Sequence, residues 1–303
     1  MELSRHKKEI AGGIALAVLA CLIWSGNFIV ARGVYKEIPP ITLAFYRWLT
    51  ATIIIFPFAY KRFQTEWKTV KRSWHYLFWT ALTGITIFNT FVYIGGHYTT
   101  AINLALIGTS SSPIIAVVLA KIFLKEKIGL LKVTGMILCI CGILFLLSQA
   151  SFERLLGLQF SKGDLWVLSA AVFFAVYNTL VKKKPDLISP VNFLFVIFSL
   201  GTILLLPAYL WEISGTPPVE WNLNLLLVIL YLGVGPSVIC FFIWNISIGR
   251  LGAGRTALFG NLIPVFSSLE AVIILKEQFT WIHIVSMIAV FAGILLANIR
   301  SLK

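Results

Sequence analysis

Ten apolar runs, most of them about 20 residues long, constrain this chain more than any other feature. They cover residues 11–31, 41–60, 75–95, 101–124, 128–147, 165–181, 190–210, 223–248, 253–275 and 281–299. A helix of about 20 residues crosses the ~30 Å hydrocarbon core of a bilayer. Lipid offers no hydrogen bonds to bare backbone, so each run must be a helix or part of a closed barrel. The ten-residue alternation of a barrel strand is absent. The expected class is therefore an all-α membrane protein with ten transmembrane helices. Composition agrees: 59% of the 303 residues are hydrophobic and 12% charged, about half the charge of an average soluble domain. The first run is too long for a cleaved signal peptide and is expected to be retained.

The net charge of +13 invites a nucleic-acid reading, which its distribution removes. Numbering the flanks of ten spans from the N-terminus puts nineteen Lys and Arg residues on one side and five on the other, with Arg47 inside a span. That bias orients a membrane protein with both termini in the cytoplasm. The expected location is an inner (plasma) membrane, the expected partners a lipid bilayer and a small-molecule solute, and no nucleic acid. The cysteines (Cys21, Cys139, Cys141, Cys240) lie in apolar runs without a CxxC spacing and read as packing residues.

An internal repeat sets the topology. A shift of 150 aligns Gly13 with Gly163, Ala20 with Ala170, Pro40 with Pro190, Phe45 with Phe195 and Pro57 with Pro207. Past the third span a shift of 151 aligns Gly84 with Gly235, Pro113 with Pro264, and Leu124-Lys125-Glu126 with Leu275-Lys276-Glu277. The chain reads as two units, 11–148 and 164–299, joined by a short polar linker. Five spans is an odd number, so the second unit crosses in the opposite sense. Inverted repeats around a central cavity are the arrangement by which carriers alternate access.

Pro113 and Pro264 fall near the centres of spans four and nine, close to the membrane midplane. A mid-helix proline lacks an N–H and frees backbone polar groups, and such groups survive in a membrane only against protein or a wet cavity. Ser110, Ser111 and Ser112 precede Pro113; Gly260 and Asn261 precede Pro264. Both prolines are expected to interrupt their helices beside a solute site. Gly84 and Gly235 suit close helix crossing or a hinge. Trp24 and Asn27 share a face of span one, as do Asn89 and Tyr93 of span three. Tyr177 and Asn178 with Phe174 in span six, and Trp244 in span eight, complete a candidate aromatic and amide lining. Taken singly, each is as readily a packing residue.

Charges inside spans carry the sharpest expectation. Glu270 is the one acidic residue well inside a run and Arg47 its only comparably placed basic counterpart, both roughly 8 to 9 Å below the outer boundary. Intramembrane charges usually pair or mark a pathway. They are expected either to pair with each other as a gate or to contact a zwitterionic solute separately, and Glu270 is the residue that could take a proton as coupling ion. There is no GxxxxGK[ST] loop, no HExxH and no cluster of histidines, so neither an ATP-driven pump nor an enzyme is expected, and no cofactor or metal. A passive channel or lipid scramblase is the alternative to a carrier.

Several stretches resemble a known family. Trp24-Ser25-Gly26-Asn27-Phe28, Pro39-Pro40-Ile41-Thr42-Leu43-Ala44-Phe45-Tyr46-Arg47, Tyr98-Thr99-Thr100-Ala101, Trp244-Asn245, Leu251-Gly252-Ala253 and Asn261-Leu262-Ile263-Pro264-Val265-Phe266 look like the EamA family of the drug/metabolite transporter superfamily. The resemblance runs from about residue 11 to 299. It implies ten helices around a central cavity in a bacterial inner membrane, and export, or occasionally uptake, of amino acids and related metabolites. Lys125 and Lys276 depart from the glycine usual before the terminal glutamate, and Glu270 stands where an apolar residue is usual.

Overall fold

The computed structural model describes residues 2–34, 36–98, 101–126, 128–157, 161–275 and 280–302, and these contain helices and no strand. In chain order the helices are α1 (Glu2–Gly33), α2 (Pro40–Arg72), α3 (Trp74–Ala81), α4 (Phe88–Tyr98), α5 (Ala101–Leu124), α6 (Leu130–Leu147), α7 (Phe152–Leu156) and α8 (Lys162–Lys182). They continue as α9 (Pro190–Gly215), α10 (Leu223–Leu232), α11 (Cys240–Leu251), α12 (Ala253–Phe259), α13 (Leu262–Leu275) and α14 (Trp281–Leu302). Two π-helical segments, π1 (Leu82–Ile87) and π2 (Gly233–Ile239), join α3 to α4 and α10 to α11. Seven helices among the described residues are long and apolar enough to cross a membrane, and two further apolar helices are 10–17 residues long. Gly84 and Gly235, matched in the sequence repeat, both fall in the π segments.

The expected interruptions differ between the halves. α5 runs through Pro113 unbroken, with Pro113 inside the helix. The chain breaks instead at Gly260 and Asn261, between α12 and α13. Gly260 and Asn261 are turn formers, and the Asn261 carboxamide donates to its own backbone at Leu258 O (3.0 Å), a local bond that competes with the helix ladder. Pro264 then sits in the first turn of α13, where its missing N–H costs nothing.

Helix pairing follows a regular plan. α1 runs antiparallel to π2 and α11: Ser247 Oγ donates to Gly13 O (3.0 Å), and Trp24 Nε1 to Pro236 O (2.8 Å). α8 runs antiparallel to α3, π1 and α4: Tyr76 OH donates to Leu180 O (2.7 Å), and Phe88 stacks on Phe174 (4.3 Å). The long helices α2 and α9 pair antiparallel and cap one another. Each begins with proline at its first turn, where the remaining backbone amides need acceptors. Glu212, buried near the end of α9, accepts from the amides of Ile41 (3.1 Å) and Thr42 (2.6 Å) and from Thr42 Oγ1 (2.7 Å). Glu66, near the end of α2, accepts from the Ser189 amide (2.9 Å) and Asn192 Nδ2 (2.7 Å). Carboxylates at helix N-termini also complement the macrodipole.

α6 and α14 form a fourth antiparallel contact close enough that a Cβ on Gly135 would strike the Gly293 carbonyl, the close approach small residues permit between membrane helices. Glu126, just beyond α5, accepts from the Ala253 amide (3.1 Å) and pairs with Lys132 (3.5 Å), tying α5, α6 and α12 together.

Candidate functional site

Arg47 lies in the second turn of α2 and is 1% exposed. Its Nε donates to Ser237 Oγ (2.7 Å), and its Nη1 to Asn27 Oδ1 (3.0 Å) and Tyr93 OH (2.7 Å). Its Cζ lies 5.0 Å from the centroid of the Trp48 ring, within cation–π range. The Ser237 contact is a product of local backbone chemistry. Pro236 has no N–H for the carbonyl of Leu232, four residues back, and Ser237 Oγ donates to that carbonyl instead (2.8 Å). The serine oxygen keeps its lone pairs for the guanidinium. Pro236's own carbonyl accepts from Trp24. A π segment is a common local distortion at functional sites, and here it supplies polar atoms on two sides.

Glu270 does not pair with Arg47. Its Oε1 lies 2.6 Å from Ser25 Oγ, and its buried Oε2 has no partner. Ser25 and Asn27 are two positions apart on α1, so they point to different sides of that helix; α1 stands between the two charges. Gly26 leaves room for the Tyr231 hydroxyl, 2.6 Å from where a Cβ on the glycine would lie, while Glu270 Oε2 is at ordinary contact distance from it, 3.8 Å. Ser267 Oγ donates to Ser25 O (3.2 Å) on the same flank.

Between these groups lies an aromatic cluster. Trp24 meets Trp244 (5.0 Å), Phe241 (5.8 Å) and Phe174 (6.0 Å), mostly edge to face, the geometry ring quadrupoles prefer. Trp48 joins through Phe241 (5.2 Å). Trp244 Nε1 donates to Asn178 Oδ1 (2.9 Å), and Tyr177 OH to Asn245 Oδ1 (2.8 Å). The rings contact one another closely, and Tyr177 fills the space beside Gly84. Around them Trp48 Nε1, Asn89 Nδ2, Asn178 Nδ2 and Asn245 Nδ2 are buried without a partner.

Of the residues singled out by sequence, Trp24, Tyr177, Asn178 and Trp244 form this cluster, while Asn27, Tyr93 and Arg47 form the polar knot beside it. Asn89 sits one turn from Tyr93 on α4. Asn261 is buried at the α12–α13 break, and Pro113 lies across from Gly260, 4.0 Å from where its Cβ would be. Ser111 is half-buried on α5; the Ser110 side chain lies outside the described residues. Sequence reasoning missed Ser25, Ser237, Tyr231 and Glu212. Ser237 had a usable signal, because Pro236 is a mid-span proline followed by a hydroxyl. Glu212 did not, because its amide partners are 170 residues away.

A family model for EamA-like transporters matches residues 11–148 and again 161–299. The chain belongs to the EamA-like transporter family. It is thereby a member of the drug/metabolite transporter superfamily, a multi-pass membrane protein of a transporter family rather than an enzyme. An uncharacterized transporter of Archaeoglobus fulgidus is 27% identical over 286 residues, covering 94% of this chain and 96% of the relative. The uncharacterized transporter YetK of Bacillus subtilis is 23% identical over 301 residues, covering 97% and 88%. A protein of known crystal structure superposes with a TM-score of 0.77 at 18% identity, over 96% of this chain and 98% of that one; the likeness concerns the fold alone. For an EamA-like transporter, the aromatic cluster and its unpartnered amides are the natural candidate for solute contact.

Proposed function

We propose that this EamA-like protein is a secondary transporter of ten helices in two inverted five-helix repeats (11–148 and 164–299), with both termini cytoplasmic, in the inner membrane of a prokaryotic cell. It exports amino acids or related compounds by alternating access. The observation that carries this reading is that residues matched in the repeat touch each other. Trp24 meets Phe174, 150 positions on (6.0 Å); Thr52 Oγ1 lies 3.4 Å from Thr202 Oγ1; Cys139 Sγ reaches Val290 O (3.5 Å) at a separation of 151. Self-contacts of this kind fall only on an axis relating the two halves. That the matched helices α2 and α9 run antiparallel supports an axis in the membrane plane.

The coupling ion in this reading is a proton held at Glu270. Ser25 Oγ has one hydrogen and two acceptors in reach, Leu22 O and Glu270 Oε1. Both contacts are hydrogen bonds only when Glu270 carries a proton of its own. Counterflow in proteoliposomes, with an amino-acid panel and with or without a pH gradient, tests the proposal. Saturable exchange stimulated by the gradient is expected, with Glu270→Gln retaining exchange and losing the stimulation. An absence of exchange with verified insertion would sink the carrier and favour a channel or scramblase; stimulation surviving in Glu270→Gln would remove the proton from that site.

A further inference from the structure

Arg47 is permanently charged, fully buried, and joined to no carboxylate among the described residues. Its described partners, Asn27, Tyr93 and Ser237, are all neutral. The knot therefore carries a whole positive charge in a low-dielectric interior, where a charge demands a counter-charge. Several donors around it have no described acceptor. Tyr93 OH accepts from Arg47 and keeps its own hydrogen without a described acceptor. Arg47 Nη2 makes no described hydrogen bond. Trp48 Nε1, beneath the guanidinium, and Asn89 Nδ2, one turn from Tyr93, are buried donors with no partner. Buried polar atoms without partners are uncommon and call for an explanation; Trp48 Nε1, Asn89 Nδ2 and the Tyr93 hydroxyl hydrogen are three donors near an unneutralised cation, a set that suits an anion. Glu270 cannot fill it, because α1 separates the two.

We propose that Arg47, Tyr93 and Asn89 seat the carboxylate of the transported solute, and that the aromatic cluster from Trp24 to Phe174 takes its apolar or ring-bearing part. The solute is thus recognised as an organic acid, whatever else it bears. This deepens the transporter reading and rests on it.

Full-length protein in phosphatidylcholine nanodiscs, titrated with phenylacetate, its methyl ester and phenethylamine while intrinsic tryptophan fluorescence is followed, tests the seat. Phenylacetate should quench saturably. The ester and amine should bind at least about tenfold more weakly, the scale of one charge-assisted contact. Arg47→Lys should lose about tenfold or more for phenylacetate, because the ammonium cannot reproduce the planar fork. Should that variant unfold, Asn89→Asp decides: a carboxylate in the seat should abolish phenylacetate binding and leave phenethylamine binding intact. Equal binding of acid, ester and amine, or unchanged phenylacetate binding in Asn89→Asp, overturns the proposal. Counterflow separates the two readings. Saturable exchange with no dependence on the carboxylate ends the seat and spares the carrier. Phenylacetate binding without exchange of any solute does the reverse.

Discussion

The Tyr177 ring occupies the place where a side chain on Gly84 would be. Tyr177 is fully buried and its hydroxyl is engaged with Asn245, so it has nowhere to retreat. Gly84→Ala is expected to destabilise by about 1 to 3 kcal/mol, the usual cost of overpacking a dense interior, seen as a lower midpoint of thermal unfolding. Gly96→Ala, with nothing within 4 Å of the new methyl, is the control and should not lower the midpoint, since alanine favours the helix. At this scale the sequence was informative where spacing within one helix suffices. The shared faces of Trp24 with Asn27 and of Asn89 with Tyr93 are such cases, and Gly84 was marked for close crossing. It was silent where a residue's role depends on another helix: nothing near Ser25 foretells an acid 245 positions away. Of the two expectations for Arg47 and Glu270, pairing with each other fails for a related reason, and separate contact with a solute is left. Similar depth in two spans says nothing about which side of an intervening helix each charge occupies.

Helices α2 and α9 each begin with proline; Glu212 of α9 closes the first amides of α2, and Glu66 of α2 takes the Ser189 amide just before α9 and the Asn192 carboxamide. Two carboxylates thereby fasten one pair of helices at both ends. Removing either should loosen one helix start and leave the other intact. Glu212→Ala is expected to cost about 1 kcal/mol, as loss of a helix cap does, and to speed hydrogen exchange at the Ile41 and Thr42 amides by about fivefold to tenfold. Exchange at the Ser189 amide should not change. The starts of these long elements were legible from the apolar runs, but α2 continues to Arg72 through a polar stretch beyond the run that ends at residue 60, which apolar length does not foretell. The division at Gly260 and Asn261, against continuity through Pro113, was not, because proline tolerance depends on whether the preceding residues supply a competing turn. Ser110, Ser111 and Ser112 do not break α5; Gly260 and Asn261 end α12.

For the whole molecule, matched residues in contact behave differently from all other contacts. If the halves exchange conformations, a contact between matched residues maps onto itself and persists in both states, whereas a contact between unmatched residues need not. A disulfide from Thr52→Cys and Thr202→Cys, whose native oxygens are 3.4 Å apart, in a background with Cys21, Cys139, Cys141 and Cys240 replaced by alanine, should leave solute exchange within about twofold of the reduced protein. Arrest of exchange on oxidation would place relative motion between α2 and α9 and exclude an axis there. The sequence shift of 150 to 151 named these partners without showing that they touch, since a repeat predicts equivalence and only the folded chain brings equivalent residues face to face.

The unequal treatment of the two matched prolines has an energetic consequence. Two identical halves would make the inward-facing and outward-facing forms mirror descriptions of one energy, equally populated at rest. Here one half carries a turn with glycine, the most permissive backbone residue, and the other an unbroken helix. Swapping their roles would ask α5 to bend where it has no turn former. In the proposed carrier the two facings would then not be degenerate, and a difference of about 1.4 kcal/mol would hold about ten molecules in one facing for each in the other. If the chain alternates access as proposed, the empty carrier is expected to rest mainly on one side of the membrane, and the break at Gly260 and Asn261 contributes to that bias.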